Sequence, residues 1–252
     1  MVEFFCREEL SFSENSHSKV FLCEDSERNK MALKCCIRDH SDPDYGKYQS
    51  MYWIEYTLLS NRSLLKEANI PLHHRYIDDE EIVIGERTYE LGIIMDYLPH
   101  IRLHNSDDHD CVRKAREVRA IMQCLIKTIQ TTNALGYYHL DLSLNNILLD
   151  TNDNGKAWLL DYTGAKYIGK IHIQPYDSII TSARYGHVRD LPLEEAQAAM
   201  LVELYCDICN CTIPNDKSCD WQDAYRLYTF LFEERKARRI FDLSTLGRYF
   251  SF

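Results

Sequence analysis

The sequence has few glycines and prolines, and it has no long apolar run of the kind that crosses a membrane. Nine glycines and six prolines occur in 252 residues, and no Pro/Gly-rich linker divides the chain. No uncharged run approaches the roughly 18 apolar residues of a membrane helix, and the start, MVEFFCREEL, lacks the features of a secretory signal. We therefore expect no membrane span and no cleaved leader.

Positive charge is also scarce. Lys and Arg number 29 against 39 Asp and Glu, which gives a formal net charge of -10 and a pI of about 5.5. This balance provides no electrostatic surface for nonspecific binding to nucleic acid phosphates. Because 45% of the residues are hydrophobic, the chain has enough apolar material for a buried core, and we expect it to fold alone without nucleic acid as a partner.

Cysteine is too rare for a disulfide scaffold. Ten cysteines in 252 residues are about 4%, whereas such scaffolds have roughly 8% or more. Cys35 and Cys36 are adjacent in a predicted strand, and Cys124 lies on the apolar side of a predicted helix. We therefore expect reduced core thiols and a cytoplasmic, reducing compartment.

Four further cysteines share one short stretch near the end of the chain. They are Cys206, Cys209, Cys211 and Cys219. The Cys-x-x-Cys start fits a zinc site, but the uneven remainder does not resemble a standard ribbon or finger. We expect free thiols in a loop, and a zinc site is the alternative.

The first hundred residues predict strands around one helix. Four short apolar runs bounded by polar turns predict the strands: Lys19 to Cys23, Met31 to Ile37, Ile82 to Ile84 and Leu91 to Met95. Tyr48 to Leu65 is the predicted helix. A second helix, which ends near Gly136, is predicted by apolar residues at helical spacing: Val118, Ile121, Met122, Leu125, Ile126 and Ile129.

A β-hairpin is predicted where Ile147 to Leu149 and Ala157 to Leu160 flank a turn rich in Asn, Asp and Gly. The hairpin brings the entry of one strand to the exit of the other, so we expect Asp141, Asn146 and Asp161 to converge. Two carboxylates and a carboxamide suit Mg²⁺, which shares its coordination shell with substrate phosphates. Phosphoryl transfer is the predicted reaction, and it also requires a lysine on the phosphates.

The segment 139–146 resembles the catalytic loop of eukaryotic-type protein kinases, because Asn146 follows His139-Leu140-Asp141 at the kinase spacing. Other kinase landmarks occur in the same order. They are Met31-Ala32-Leu33-Lys34 (the lysine strand), Glu55 (the helix glutamate), Ile94-Met95-Asp96-Tyr97-Leu98 (the approach to the hinge), Asp161-Tyr162-Thr163-Gly164-Ala165-Lys166 (the D-F-G segment) and Asp223-Ala224-Tyr225-Arg226-Leu227 (the central helix). These six landmarks extend over about residues 12 to 233.

The resemblance implies an α+β, two-lobed protein kinase-like fold in a single domain. A small β-rich N-lobe would occupy residues 1–99, and a mostly helical C-lobe would occupy residues 100–252. The C-lobe is shortened, since the chain ends soon after the predicted central helix. In this respect the chain is similar to minimal effector kinases that some pathogens deliver into host cells.

The resemblance also implies ATP-dependent transfer of the γ-phosphate to Ser or Thr hydroxyls of a protein substrate, for example a host protein. Lys34 would hold the phosphates and Glu55 would hold Lys34, while Asp141 orients or deprotonates the hydroxyl. Asn146 and Asp161 would hold Mg²⁺. The implied ATP-binding residues are Ser13, Asn15, Ser18, Val20, Ala32, Lys34, Asp96 and Leu98.

Several positions depart from the kinase pattern. Ser13, Asn15 and Ser18 replace the three glycines of the phosphate-binding loop, which makes close backbone approach to the phosphates harder. Thr163 replaces the glycine of D-F-G. Leu140 replaces the arginine that usually holds a phosphorylated activation loop, so this loop must be ordered by its own packing or by an activating protein partner.

The residues leave three alternative functions open. The missing glycines and Thr163 also fit a pseudokinase that acts as a binding module. The spacing from Asp141 to Asn146, with Tyr162 after the metal aspartate, is shared by small-molecule phosphotransferases of the aminoglycoside or choline kinase type. Asp141-Leu142-Ser143 matches the loop of atypical kinases of the RIO type.

Overall fold

A computed structural model describes residues 5–10, 18–37, 39–99, 101–102, 115–150, 155–163, 165–167, 191–212, 230–231, 233–234, 236–237, 239–240 and 242–251. The chain is mixed α+β and divides into two compact units. The first unit comprises Met1–Lys66 and Pro71–Leu98, and the second comprises Glu67–Ile70 and Pro99–Phe252. The change of unit between Leu98 and Pro99 lies close to the predicted lobe boundary.

An antiparallel sheet of five strands forms the first unit. The strands are β1 (Phe5–Glu9), β2 (Ser18–Glu24), β3 (Lys30–Cys36), β4 (His73–Ile84) and β5 (Arg87–Asp96). Their order in the sheet is β1-β2-β3-β5-β4. Because β3 is the central strand, its side chains are buried on both faces of the sheet.

Helix α1 (Tyr45–Leu59) packs on one face of this sheet, where the apolar cluster contains Cys36, Tyr45, Tyr52, Leu91 and Ile93. On the other face a second cluster contains Phe21, Cys23, Leu33, Cys35, Ile77, Tyr89 and Ile94. Successive residues of a strand point to opposite faces. Leu33 and Cys35 therefore enter the second cluster, whereas Lys34 points to the face that α1 covers.

The predicted helix Tyr48 to Leu65 is wrong at both ends. Helix α1 begins at Tyr45 and ends at Leu59, and the N–H of Ser60 donates to the Tyr56 carbonyl. The polar run from Ser60 to Ser63 ends the helix because these residues compete for the backbone hydrogen bonds.

Strand β4 is much longer than the predicted Ile82 to Ile84. It begins at His73 and pairs with β5 from Met95 down to Arg87, with irregular register around residues 78–82. The acidic run 78–81 breaks the apolar alternation that would have indicated a strand. Gly85, with a φ of 62°, supplies the left-handed backbone of the tight turn into β5.

The expectation of reduced thiols is wrong for one pair of cysteines. Strand β1, which the sequence pattern did not predict, places Cys6 opposite Cys23 of β2, and the two form a disulfide. Cys35, Cys36 and Cys124 are free thiols, as expected.

The second unit contains three described helices: α2 (Ala115–Ala134), α3 (Leu193–Thr212) and α4 (Leu243–Phe250). Gly136, with a φ of 84°, follows α2, so the predicted end of this helix is confirmed. None of the helices in the described ranges is long and apolar enough to cross a membrane.

Short strands complete the second unit. They are β6 (Ile101–Arg102), β7 (Tyr137–Tyr138), β8 (Ile147–Leu149), β9 (Ala157–Leu159) and β10 (Lys166–Tyr167). Strand β8 pairs with both β6 and β9, and β10 pairs with β7. The predicted hairpin is confirmed by the antiparallel pairing of β8 with β9, although its turn residues 151–154 lie outside the described part.

The prediction of a loop for the four late cysteines is wrong for three of them. Cys206, Cys209 and Cys211 lie in the last turns of α3, which leaves them on a helix. Their side chains, and all of Cys219, lie outside the described residues.

Candidate active site

A buried ion pair joins the sheet of the first unit to its helix. Nζ of Lys34, on β3, lies 2.7 Å from Oε2 of Glu55, on α1. Lys34 is 3% exposed and Glu55 is 1% exposed. A buried ion pair does not by itself explain stability, because desolvation of the two charges offsets much of their attraction. The structure thus brings together the two residues that the sequence predicted to pair.

An aromatic side chain completes the surroundings of the lysine. The ring of Tyr52, one turn before Glu55 on α1, lies 5.3 Å from Lys34 Nζ in a cation–π contact. The Tyr52 hydroxyl donates a hydrogen bond of 2.8 Å to Oγ of Ser18, and burial raises the pKa of Tyr52 well above its usual value. The predicted ATP-binding residue Ser18 therefore contacts the tyrosine that faces Lys34.

Two other predicted ATP-binding residues lie beside Lys34 in the sheet. Val20 is the partner of Lys34 in the β2–β3 pairing, and Ala32 precedes Lys34 by two residues on the same face of β3. The predicted residues Ser13 and Asn15 lie outside the described residues.

Asp96 uses its carboxylate within the first unit. Oδ1 lies 2.7 Å from His74 Nε2, and Oδ2 accepts a hydrogen bond of 3.1 Å from the Leu72 N–H. Leu98, also predicted to bind ATP, is partly buried two residues later. The Asp96 side chain is thus engaged in the junction of β4 and β5, which the sequence pattern did not predict.

His139 fixes the backbone of the predicted catalytic loop in the second unit. Its Nδ1 accepts a hydrogen bond of 3.2 Å from the Asp141 N–H, so Nε2 carries the proton and donates to the Leu160 carbonyl at 2.9 Å. The buried side chain of Gln197, on α3, donates to the His139 carbonyl at 3.1 Å. His139 is therefore a structural residue, because both ring nitrogens hold the backbone.

Asp141 and Asn146 contact each other directly. Nδ2 of Asn146 donates to the carbonyl of Asp141 at 2.8 Å and to Oδ2 of Asp141 at 2.9 Å. A short 3-10 helix from Leu144 to Asn146 brings the asparagine back towards the aspartate. No hydrogen bond from the described residues reaches Asp141 Oδ1 or Asn146 Oδ1, so each side chain keeps one oxygen that can accept a further contact.

The residue before Asp161 is hydrogen-bonded to this loop. The N–H of Leu160 donates to the carbonyl of Asn146 at 2.8 Å, and Asp161 follows at once. Asp161 has a φ of 62°, a left-handed conformation that aspartate tolerates better than most residues. Its Oδ1 accepts hydrogen bonds from both the N–H and the hydroxyl of Thr163.

The oxygen atoms of Asn146 and Asp161 are of the chemical type that Mg²⁺ binds. Mg²⁺ usually takes one or two protein carboxylates and completes its octahedron with water and substrate oxygens. Asn146 offers an amide oxygen, and Asp161 offers a carboxylate of this kind. No cluster of three or more His, Cys, Asp or Glu side chains that could form a closed metal site occurs in the described ranges.

Sequence reasoning missed three residues that support these groups. Tyr52 lies three residues before Glu55, and helical spacing could have placed the two on one face. Gln197 belongs to α3, and His73, whose Nε2 lies 3.9 Å from Glu55 Oε1, belongs to the unpredicted part of β4. No local pattern marked these last two.

Comparison with known proteins adds no assignment. The chain matches no protein-family model, and a search of curated proteins finds no match. Functional assignment therefore depends on the residues themselves.

Proposed function

We propose that this protein is an ATP-dependent protein kinase that transfers the γ-phosphate to Ser or Thr hydroxyls. The observation that carries the proposal is the buried pair of Lys34 and Glu55, with 2.7 Å between Nζ and Oε2. Lysine has three donors, and Glu55 Oε2 takes one of them. A lysine fixed in this way presents a positive charge of defined position, which suits the phosphates of a nucleotide.

The second unit supplies groups of the complementary type. Asp141 Oδ1 accepts no hydrogen bond from the described residues, and in the proposed reaction it accepts the hydrogen bond of the attacking hydroxyl. Asn146 Oδ1 and Asp161 would hold Mg²⁺, which when bound neutralises charge on the phosphates. His139 holds the backbone of Asp141 in place, so the carboxylate needs little reorganisation during the reaction.

One observation favours a pseudokinase as the second candidate. The N–H and the hydroxyl of Thr163 both donate to Asp161 Oδ1, so a predicted metal ligand is already engaged. In that case the fold would bind nucleotide or a protein without transfer of phosphate.

Tyr162 does not support the small-molecule phosphotransferase alternative. This side chain is fully buried, and its hydroxyl lies 3.4 Å from Thr132 Oγ1.

The proposal is tested with Mg²⁺ and ATP labelled at the γ-phosphate. The acceptors are a protein extract, an aminoglycoside and choline, each in a separate reaction. We expect label on Ser and Thr of proteins, and we expect Lys34→Ala to reduce it by at least about 100-fold, the loss typical of one fixed electrostatic group. Lys30→Ala, at the exposed start of the same strand, is the matched control and should keep full activity.

The other outcomes separate the candidates. Nucleotide binding without label in any acceptor would support the pseudokinase and contradict the proposal. Label in choline or the aminoglycoside alone would support the small-molecule phosphotransferase. Equal label in Lys34→Ala and unmodified protein would remove Lys34 from the mechanism.

A further inference from the structure

His73, the first residue of β4, is buried without a hydrogen bond. It is 3% exposed, and neither Nδ1 nor Nε2 has a hydrogen-bonding partner in the described part of the chain. Its partner across β5 is Met95, which lies on the same face of the sheet as Ile93 and Lys34. The imidazole is therefore enclosed between the sheet and α1.

An unpaired polar ring in this position requires an explanation. A buried donor or acceptor without a partner costs about 1–3 kcal/mol, so an apolar residue of similar size would stabilise the fold better. Burial and the positive charge of Lys34 hold the pKa of His73 well below its usual value, so the ring is neutral and carries one N–H donor. A cost of this kind is most often retained at a functional site.

The charged groups around the ring belong to the proposed active site. Nε2 of His73 lies 3.9 Å from Glu55 Oε1, and Glu55 binds Lys34 through its other oxygen. This separation is about 1 Å longer than a hydrogen bond, so a small rotation of either side chain brings the donor into contact.

We propose that His73 is a positioning residue for the Lys34–Glu55 pair. Its N–H is a further donor for Glu55, which restrains the carboxylate and, through it, Lys34. The donor matters most when the ammonium of Lys34 turns towards a bound phosphate and shares its protons, since Glu55 is buried and would otherwise lose part of its compensation. The catalytic part of this inference depends on the proposed kinase function.

Two substitutions separate positioning from simple packing. His73→Leu keeps the volume and removes the donor, whereas His73→Gln keeps a neutral donor. We expect His73→Leu to melt at the same temperature as the unmodified protein or higher, and to lose about 10- to 100-fold in kcat, the usual cost of removing an orienting partner. His73→Gln should recover most of that activity. A fully active His73→Leu, or a His73→Gln as impaired as His73→Leu, would overturn the proposal.

A second measurement does not depend on catalysis. The rate at which Lys34 is acylated by an amine-reactive reagent is followed by mass spectrometry in the nucleotide-free protein. We expect several-fold faster labelling in His73→Leu and Glu55→Gln, because a loosened pair exposes the amine more often, and a normal rate in His73→Gln. An unchanged rate in His73→Leu would refute the positioning role.

The two measurements also distinguish failure of the two proposals. If the unmodified protein transfers no phosphate but the labelling rates change as expected, the kinase proposal fails and the role of His73 at the ion pair stands. If phosphate transfer occurs and neither kcat nor the labelling rate changes in His73→Leu, the role of His73 fails and the kinase proposal stands. Should His73→Leu not fold, His73→Met replaces it as a flexible apolar residue of similar volume.

Discussion

At the scale of single residues, the predicted chemistry depends on side chains held by specific hydrogen bonds. Asn146 uses both of its amide hydrogens on Asp141, and Lys34 uses one donor on Glu55. Asp141 and Asn146 each keep one oxygen that accepts no hydrogen bond from the described residues. At Asp141 and Asn146, changes of charge or hydrogen bonding at constant shape should therefore reduce activity, whereas at the buried Lys34–Glu55 pair they should also reduce stability.

Asp161 provides the first such test. We expect Asp161→Ala to abolish phosphate transfer, because a predicted metal carboxylate is lost while no core volume is removed. Asp161→Asn should do the same with less effect on folding, since asparagine tolerates the left-handed φ of 62° at this position. Label transfer and thermal melting are measured on both variants. Asp44→Ala, which removes a carboxylate without a capping hydrogen bond before α1, is the control.

Substantial activity in Asp161→Asn would contradict the metal assignment. The level of Mg²⁺ that gives half-maximal activity would then identify whether another oxygen ligand has replaced it.

His73 predicts a dependence of stability on pH. Its pKa is lowered in the folded protein, so the unfolded chain takes up a proton at a higher pH than the folded chain does. The free energy of unfolding is therefore unaffected by this titration above the pKa of His73 in the unfolded chain, near 6.5. Below that pH it decreases, by up to about 1.4 kcal/mol per pH unit. Urea unfolding between pH 7.5 and pH 5 should show this decrease in the unmodified protein and a shallower dependence of the free energy of unfolding on pH in His73→Leu. The same dependence in both proteins would contradict the lowered pKa of His73.

At the scale of elements, the outcome of sequence reasoning followed the strength of the local pattern. The β8–β9 hairpin and the end of α2 were predictable, because turn residues and Gly136 mark them. Helix α3 was not, since nearly every position from Ala196 to Tyr205 is buried and the sequence shows no apolar stripe. Strand β4 was predicted too short, because its acidic residues 78–81 interrupt the apolar alternation.

The same reason explains which site residues could be predicted. Lys34, Asp141 and Asn146 have a recognisable order and spacing along the chain. His73 and Gln197 act through packing between elements that are distant in sequence, so no local pattern identifies them.

Strand β1 gives a prediction at this scale. It is an edge strand that a disulfide from Cys6 to Cys23 ties to β2. We expect Cys6→Ser to lower the free energy of unfolding by about 2–4 kcal/mol, the usual range for loss of a native disulfide. Denaturant unfolding with and without reductant measures this: reductant should lower the stability of the unmodified protein and leave that of Cys6→Ser unchanged. Free thiols at both positions in the purified, oxidised protein would contradict the pairing.

At the scale of the whole molecule, the predicted machinery is divided between the two units. The first contains Lys34 and Glu55, and the second contains Asp141, Asn146 and Asp161. Neither unit has the complete set of charges that phosphoryl transfer requires. The proposed activity is therefore expected only from a chain that contains both units.

Regulation of the whole molecule should not require phosphorylation. Leu140 is buried at 4% exposure and offers no guanidinium for a phosphate on Thr181, Ser182 or Tyr185, which lie outside the described residues. We expect protein made in a kinase-poor host and treated with phosphatase to keep its full activity, or to reveal activity when a protein partner is added. Label transfer before and after treatment is the measurement. A large loss that is restored by phosphorylation between Asp161 and Gly186 would show that another basic residue binds the phosphate.

The position of Lys34 between two buried neighbours has a consequence for folding fidelity. Leu33 and Cys35 enter the apolar cluster on one face of β3, while Lys34 meets Glu55 on the other. A slip of β3 by one residue against β2 and β5 would exchange the faces and bury an ammonium group among aromatic and aliphatic side chains. Misaligned pairings of the central strand are thereby strongly disfavoured, so the charge proposed to bind phosphate also selects the correct alignment of the sheet as the chain folds.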